Sequence, residues 1–327
     1  MVRILQEGKK PYTVVSLFAG IGGICLGFKQ AGFDIIWANE RDVAACKTYR
    51  YNFGDSYLKE DDIRNISVES IPDFDVLTAG FPCQSFSTAG FKKGFRDPRG
   101  NLFFEIIRVI KQKQPRIVFL ENVENIIEHD NQKTFLTIFN SLSDCGYDVK
   151  YRILQPLDYA GIPQRRKRVF IVAFRDIDDC DAFTFPLEID KKQSIDSIID
   201  FSKKQHSSYY YNTNHSSYFE LEKKTKTGKI YSVKNDGSVY CSGTICPTLI
   251  AGMGKFPERI PVVKDNYGIR RLTIRECLRF QGFPEEFNIS RENNIEDAYK
   301  QIGNSVCVPI VYRVAVEIDK ALRRKDN

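Results

Sequence analysis

Long apolar runs are absent from this sequence: no stretch of roughly 18 or more apolar residues occurs, so nothing in it predicts a membrane-spanning helix. Histidine is scarce, with only His129, His206 and His215, and none of the nine cysteines stands in a C-x-x-C pair. That pattern argues against a zinc site, and no metal is expected. An odd number of thiols scattered from Cys25 to Cys307 does not suit a disulfide framework either, and most of them read as core packing. The amino-terminal MVRILQEGKKPYTVV lacks the apolar core of a secretory signal, because Glu7 to Pro11 interrupt it. A cytoplasmic location is the expectation, with no membrane partner.

What is present is ordinary for a globular protein. Hydrophobic residues make up 42% of the 327 and charged residues 28%, which suits about two domains with real cores. The net charge of +6 permits a polyanionic partner without demanding one.

Five short apolar segments read as strands: TVVSLF (Thr13–Phe18), FDIIWANE (Phe33–Glu40), FDVLTAG (Phe74–Gly80), RIVFLENV (Arg116–Val123) and RVFIVAF (Arg168–Phe174). Among them GICLGFKQAG, Asp42–Asn52 and NLFFEIIRVIKQK carry helical periodicity, with Gly32 as a C-cap and Leu102, Ile106 and Val109 on one face. The alternation predicts an α/β fold: a doubly wound, mostly parallel sheet with helices on both faces and its site at the carboxyl ends of the strands. After about residue 180 the chain turns rich in Lys, Ser, Tyr and Asn with weak periodicity, as in KKQHSSYYYNTNHSSY. Near the end Val306, Ile310, Val314, Ile318 and Leu322 recur every four residues and predict a helix returning to the first core. The expected domains are 1–182 with 297–327, and a smaller, irregular 183–296.

Five constellations carry possible chemistry. In SLFAGIGG a strand runs into Gly20 and Gly22, and Glu40 follows about 20 residues later at the end of the next strand, placed for ribose hydroxyls. Cys25 replaces the third glycine of the dinucleotide fingerprint, which favours a nucleoside cofactor over a pyrophosphate one. In EDDI, Asp62 reads equally as a contact to an adenine amino group and as a helix cap. Cys83 follows the third strand in AGFPCQSFSTAG, and Lys92, Lys93, Arg96 and Arg99 in the long loop after it would favour a thiolate. Taken alone, Cys83 still reads as a buried hydrophobe. Glu121 and Asn122 close an apolar strand, where partial burial would keep a proton available, or where the pair would cap VENII. In QRRKRVF, Arg166 and Arg168 would share one side of an extended segment and Arg165 and Lys167 the other; a solvated edge is the plain alternative. In QIGNSV, Asn304 or Ser305 would cap the tail helix.

In this order the segments FAGIGG, GFPCQSFS, ENV, QRRKR, RRLTIRECLRFQGFP and GNSV resemble the cytosine carbon-5 DNA methyltransferases, from Phe18 to Val306. The ordered set is specific where any single motif is not. The compact length is similar to that of bacterial restriction-modification members. The resemblance implies a Rossmann-like fold dependent on S-adenosylmethionine, with a target-recognition domain, acting on double-stranded DNA. It implies that Cys83 adds to carbon 6 of a flipped-out cytosine, that Glu121 serves ring nitrogen 3, that Arg168 meets the ring carbonyl and that Arg166 supports the site. Phe18, Gly20, Gly22, Glu40, Asp62, Ile63, Leu102, Asn304 and Val306 would hold the cofactor. Ser85, Ser87, Arg99, Thr248 and Leu249 would meet DNA, with Arg270 and Arg271 on phosphate. A monomer is implied, sharing its site with a cognate restriction endonuclease without a stable complex. Three rivals stand beside this reading. The RNA-modifying branch of the family carries a Cys-Phe-Thr tripeptide that is missing here. An inactive DNA binder would not need Cys83, Glu121 and Arg168 together. A nicotinamide oxidoreductase would want the intact glycine fingerprint.

Overall fold

The computed structural model describes residues 10–81, 102–215, 217–234, 236–255 and 257–324. The chain divides into two compact units: Met1–Leu154, Lys167–Leu187 and Pro309–Asn327 form the first, and Gln155–Arg166 with Glu188–Val308 the second.

The first unit is built on seven strands: β1 (Thr13–Leu17), β2 (Asp34–Glu40), β3 (Leu58–Glu60), β4 (Val76–Gly80), β5 (Ile117–Val123), β6 (Asp148–Leu154) and β7 (Arg168–Phe174). They lie in the order β3-β2-β1-β4-β5-β7-β6. β3, β2, β1, β4 and β5 pair in parallel, and β7 runs antiparallel to both its neighbours. The mostly parallel α/β expectation is met. β4, β5 and β7 are buried along nearly their whole length, which is why they read as unbroken apolar runs. β6 is an addition to the expected set. Its sequence DVKYRIL mixes charges with apolar residues because it is an edge strand, largely exposed.

Helices α1 (Gly23–Gln30), α2 (Val43–Phe53), α3 (Leu102–Lys113) and α4 (Lys133–Ser143) connect the strands. Asp42 caps α2 by accepting from the Ala45 amide at 3.1 Å. Ile106 and Val109 of α3, Ile138 and Leu142 of α4, and Leu77, Val118 and Leu120 of the sheet form one core cluster. The C-terminal helix Val308–Arg323 buries Ile310, Val314, Ile318 and Leu322, four of the five residues of the predicted stripe. Val306 is buried too but precedes this helix. Arg116 holds the end of the helix: it pairs with Asp179 at 2.6 Å and donates to the Leu322 carbonyl at 3.3 Å.

The expected capping by Asn304 or Ser305 is corrected. Asn304 ends a preceding helix, and Ser305 is that helix's extended C-cap. The C-terminal helix starts only at Val308, with Pro309 in its first turn, where a missing N–H costs nothing.

The second unit is less irregular than its composition suggests. Strands β8 (Ile230–Val233), β9 (Val239–Gly243), β10 (Val262–Asp265) and β11 (Gly268–Arg271) form an antiparallel sheet in the order β11-β10-β8-β9. Leu221, Tyr231, Val233, Val239, Val262 and Ile269 make its small core. Here the expected boundaries also move. The segment 155–166 belongs to this unit because Gln164 bridges Cys246, with the Arg165 amide on the Cys246 carbonyl at 2.8 Å and the Cys246 amide on the Pro163 carbonyl at 2.7 Å. Residues 297–304 belong to it because their helix presses on residues 250–251 so closely that a Cβ at Gly303 would overlap the Ile250 backbone.

Arg270 is corrected as a phosphate contact. It is fully buried, bonded through Nε to Asp265 at 2.6 Å and through both terminal nitrogens to Glu276 at 2.8 Å. Glu276 is fixed in turn by the capping box it forms with Thr273. Arg270→Met is expected to destabilise this unit by about 3–5 kcal/mol, since it leaves two buried carboxylates uncompensated. Urea unfolding followed by tryptophan-independent far-UV dichroism checks this, and an unchanged transition would contradict it.

Candidate active site

The strand order places a switch point between β1 and β4, where the chain has wound outward through β2 and β3 and then returns. Open α/β sheets bind ligands at the carboxyl ends of strands beside such a point. The first wall of the site is the turn after β1. Phe18, Gly20 and Gly22 all have positive φ, at 54°, 56° and 88°. The two glycines are there for different reasons. A Cβ on Gly22 would overlap the Phe53 ring, whereas one on Gly20 would meet no atom within 4 Å among the described residues. Gly20 therefore faces open space at a φ that side chains avoid, as a backbone lying against a ligand requires.

Glu40, at the end of β2, locks this turn. One carboxylate oxygen accepts the Gly20 amide at 2.8 Å, and the other accepts the Arg41 and Asp42 amides, each at 2.8 Å. Asn39 does comparable work from inside the fold. It is almost wholly buried, its carbonyl accepts the Ala19 amide at 2.9 Å, and its side-chain amide donates to the carbonyls of Lys59 at 3.0 Å and Asp61 at 2.8 Å. No motif in the sequence includes Asn39; a lone amide between Ala38 and Glu40 at the end of an apolar strand is its signal.

Of the two roles open to it, Asp62 takes the cap. It caps the short helical turn Ile63–Asn65 by accepting the Arg64 amide, and its carboxylate pairs with Arg64 at 2.5 Å and Arg41 at 3.1 Å. Hydrogen bonding from Arg64 is the main cause that holds this carboxyl well below the usual range. The Ile63 side chain lies in the core, so only its backbone is available to a ligand. Leu102 opens α3 and packs on the same core. Open space over Gly20, with acceptor carboxylates at Glu40 and Asp62, suits the hydroxyls and amino group of a nucleoside.

The second wall is formed by β4, β5 and β7. Gly80 ends β4 directly opposite Glu121 on β5. Glu121 is 8% exposed, and Arg168 pairs with it through Nε at 3.2 Å. Arg168 is the first residue of β7, and it reaches the carboxyl end of β5 only because β7 runs backwards. Asn122 does not cap the following turn; Val123 takes that position, and the Asn122 amide donates to the Phe81 carbonyl at 2.9 Å. Phe81 is two residues before Cys83. Cys83 itself lies outside the described residues, as do Ser85, Ser87 and Arg99. Another thiol belongs to the first wall: Cys46 donates to the Glu40 carbonyl at 3.4 Å. Burial, seconded by Glu60 and Glu40, pushes that thiol up to about 12, which keeps it protonated and unfit as a nucleophile.

The predicted alternation of QRRKR is present: Arg165 and Lys167 are exposed, while Arg166 is buried and Arg168 half-buried. Arg166 nevertheless belongs to the second unit. Its guanidinium donates to the carbonyls of Leu249 at 2.5 Å, Gly303 at 3.0 Å and Ser305. That is a clasp joining three segments, a supporting role rather than a direct contact to a reacting group. Leu249 is corrected: its side chain is fully buried, so it serves the clasp through its carbonyl and offers no side chain to DNA. Thr248 stays accessible, its hydroxyl on the Arg165 carbonyl at 2.7 Å. Asn304 is exposed and Val306 buried within the same unit. Among the described residues, no cluster of potential metal ligands and no helix able to cross a membrane is found.

Comparison with known proteins gives concordant results. The family model described as C-5 cytosine-specific DNA methylase matches residues 12–320. The type II methyltransferase M.Bsp6I of Bacillus sp. (strain RFL6) is 45% identical over 94% of this chain and 99% of its own length. The type II methyltransferase M.HhaI of Haemophilus parahaemolyticus is 34% identical over 99% of both chains. Among solved structures, the Entamoeba histolytica methyltransferase EhMeth superposes with a TM-score of 0.73 at 22% identity, covering 96% of this chain and 99% of its own, which shows a shared fold. With that family model over nearly its whole length and relatives at 45% and 34% identity, this chain belongs to the family of C-5 cytosine-specific DNA methylases.

Proposed function

We propose that this chain is a type II modification enzyme that methylates carbon 5 of a cytosine in double-stranded DNA by way of a covalent bond from Cys83. The observation that carries the reading is the Glu121–Arg168 pair at the edge where β4 delivers the chain toward Pro82 and Cys83. Both relatives named above are type II methyltransferases, aligned over almost their entire lengths.

S-adenosylmethionine, when bound, supplies an electrophilic methyl group. Gly20, Gly22, Glu40, Asp62 and Leu102 in the first unit are the residues that would hold it, together with the backbone at Phe18 and Ile63; Asn304 and Val306 are proposed from the second. The carbon-5 position of cytosine is a poor nucleophile until the ring is activated. The Cys83 thiolate adds to carbon 6, and Glu121 gives a proton to ring nitrogen 3, so the electron pair collects at carbon 5. Arg168 orients Glu121 and donates to the ring carbonyl oxygen, where negative charge would otherwise build. After carbon 5 carries the methyl group, its proton leaves to a solvent base. The carbon 6–sulfur bond then breaks, Cys83 recovers its electron pair, and Glu121 takes back its proton.

Attack comes on the face of the ring, which stacking blocks in a duplex, so the base must leave the helix at a cost of a few kcal/mol. Ser85, Ser87 and Arg99 are proposed to meet the DNA around it. The second unit is proposed as the target-recognition domain, with Thr248 beside the extruded base. We propose a monomer working in the cytoplasm, paired functionally with an endonuclease of the same target but not bound to it.

Cys83→Ala is expected to abolish methyl transfer and to retain DNA binding by gel shift; transfer near the wild-type rate would overturn the covalent mechanism. Glu121→Gln keeps the shape and loses the proton. It is expected to lower kcat by roughly 10²–10⁴-fold with little change in DNA affinity, as general acid catalysis requires. Single-turnover tritium transfer measures it, and a loss confined to KM would speak against the role.

A further inference from the structure

Arg108 is a residue that neither the sequence reading nor the proposed chemistry uses. It sits on α3, six residues after Leu102. Its Nη2 donates to two backbone carbonyls at once, those of Ile63 at 2.9 Å and Ile66 at 3.1 Å. These carbonyls bracket the helical turn that Asp62 caps. The other arm is fixed as well: Nε donates to Glu105 at 2.7 Å, one turn back on the same helix. The guanidinium is thus presented as a planar fork in one orientation, which a lysine cannot reproduce.

We propose that Arg108 is a positioning residue for cofactor binding, setting the Asp62 turn at a fixed distance from Leu102. The turn is held on three sides. The Ile63 and Ile66 side chains lie in the core, Asn39 grips the Asp61 carbonyl, and Arg108 takes the two carbonyls. What stays accessible is the Asp62 carboxylate with its flanking backbone. The same rigid helix carries Leu102 at its start, so the two flanks of the nucleoside end are set by one element about 9 Å long between these residues, at 1.5 Å per residue. Without Arg108 the Ile66 carbonyl would have to turn toward water, and the Ile63 carbonyl would keep only the Ile66 amide. Asp62 would follow them, because its cap on Arg64 and the Ile66-to-Ile63 bond belong to the same turn. The effect is local to the adenine end and does not reach Glu121 or Arg168.

The inference rests on the proposal that the Asp62 turn holds the nucleoside, and the test separates the two. Calorimetric titration with S-adenosylhomocysteine and with adenosine alone is to be run on wild type, Asp62→Ala, Arg108→Ala, Arg108→Lys and Glu105→Gln. Arg108→Ala is expected to weaken both ligands by roughly tenfold or more, the size of a lost charged hydrogen-bond pair. Arg108→Lys, with a single ammonium, should recover part of this, and Glu105→Gln should lose less than Arg108→Ala. In steady-state assays the loss should appear in KM for the cofactor more than in kcat. If Asp62→Ala weakens binding and the Arg108 and Glu105 variants bind within twofold of wild type, the positioning role is refuted. If Asp62→Ala itself binds both ligands like wild type, the underlying assignment of the turn fails. Should Arg108→Ala not fold, the lysine and Glu105 variants decide the question by the same criteria.

Discussion

The reversal of one strand organises the reactive edge. In a wholly parallel sheet the strand beside β5 would present its carboxyl end to the site and its beginning to the opposite side. β7 runs the other way, so its first residue, Arg168, arrives beside Glu121 at the end of β5. A carboxylate only 8% exposed needs a partner or a proton, and a guanidinium at 3.2 Å meets that need without filling the space in front of it. Asn122, the next residue, ties the same strand end to the Phe81 carbonyl, so the strand that carries the acid also fixes the start of the segment leading to Cys83.

The cofactor side follows a different physical rule. Its polar side chains are spent on backbone. Glu40 accepts three amides, Asn39 holds both a carbonyl on β3 and one just beyond it, and Arg108 brackets the turn after Asp62. Each such bond is worth little net in water, but a turn with several of them has its amides and carbonyls already aimed when a ligand arrives. Gly20, at a positive φ that glycine adopts readily, is held from behind in this way.

Much of this was legible in the sequence, and for definite reasons. β1, β4, β5 and β7 were readable because burial on both faces makes them continuous apolar runs, and the C-terminal helix because its stripe has a single period. The candidate site residues of the first unit stood out mainly as an ordered set: Asp62, Cys83 and Glu121 each had a plain alternative when taken alone. What escaped the reading depends on tertiary partners. β6 is an edge strand whose pattern resembles a loop. Leu249 and Arg270 looked like contacts for DNA, but both side chains are buried, and charge in a sequence does not say whether, as for Arg270, a carboxylate waits inside. Asn39 and Arg108 act on backbone carbonyls, which no side-chain pattern records.

The central claim is that Cys83 forms a covalent bond to a cytosine whose ring is activated at this edge. It is tested most directly by mass spectrometry of the enzyme incubated with S-adenosylmethionine and duplex DNA bearing 5-fluorocytosine at the methylated position. Fluorine cannot leave as a proton, so the account predicts a stable protein–DNA adduct whose cross-linked peptide contains Cys83. Full turnover without an adduct, or a cross-link at another residue, would contradict it.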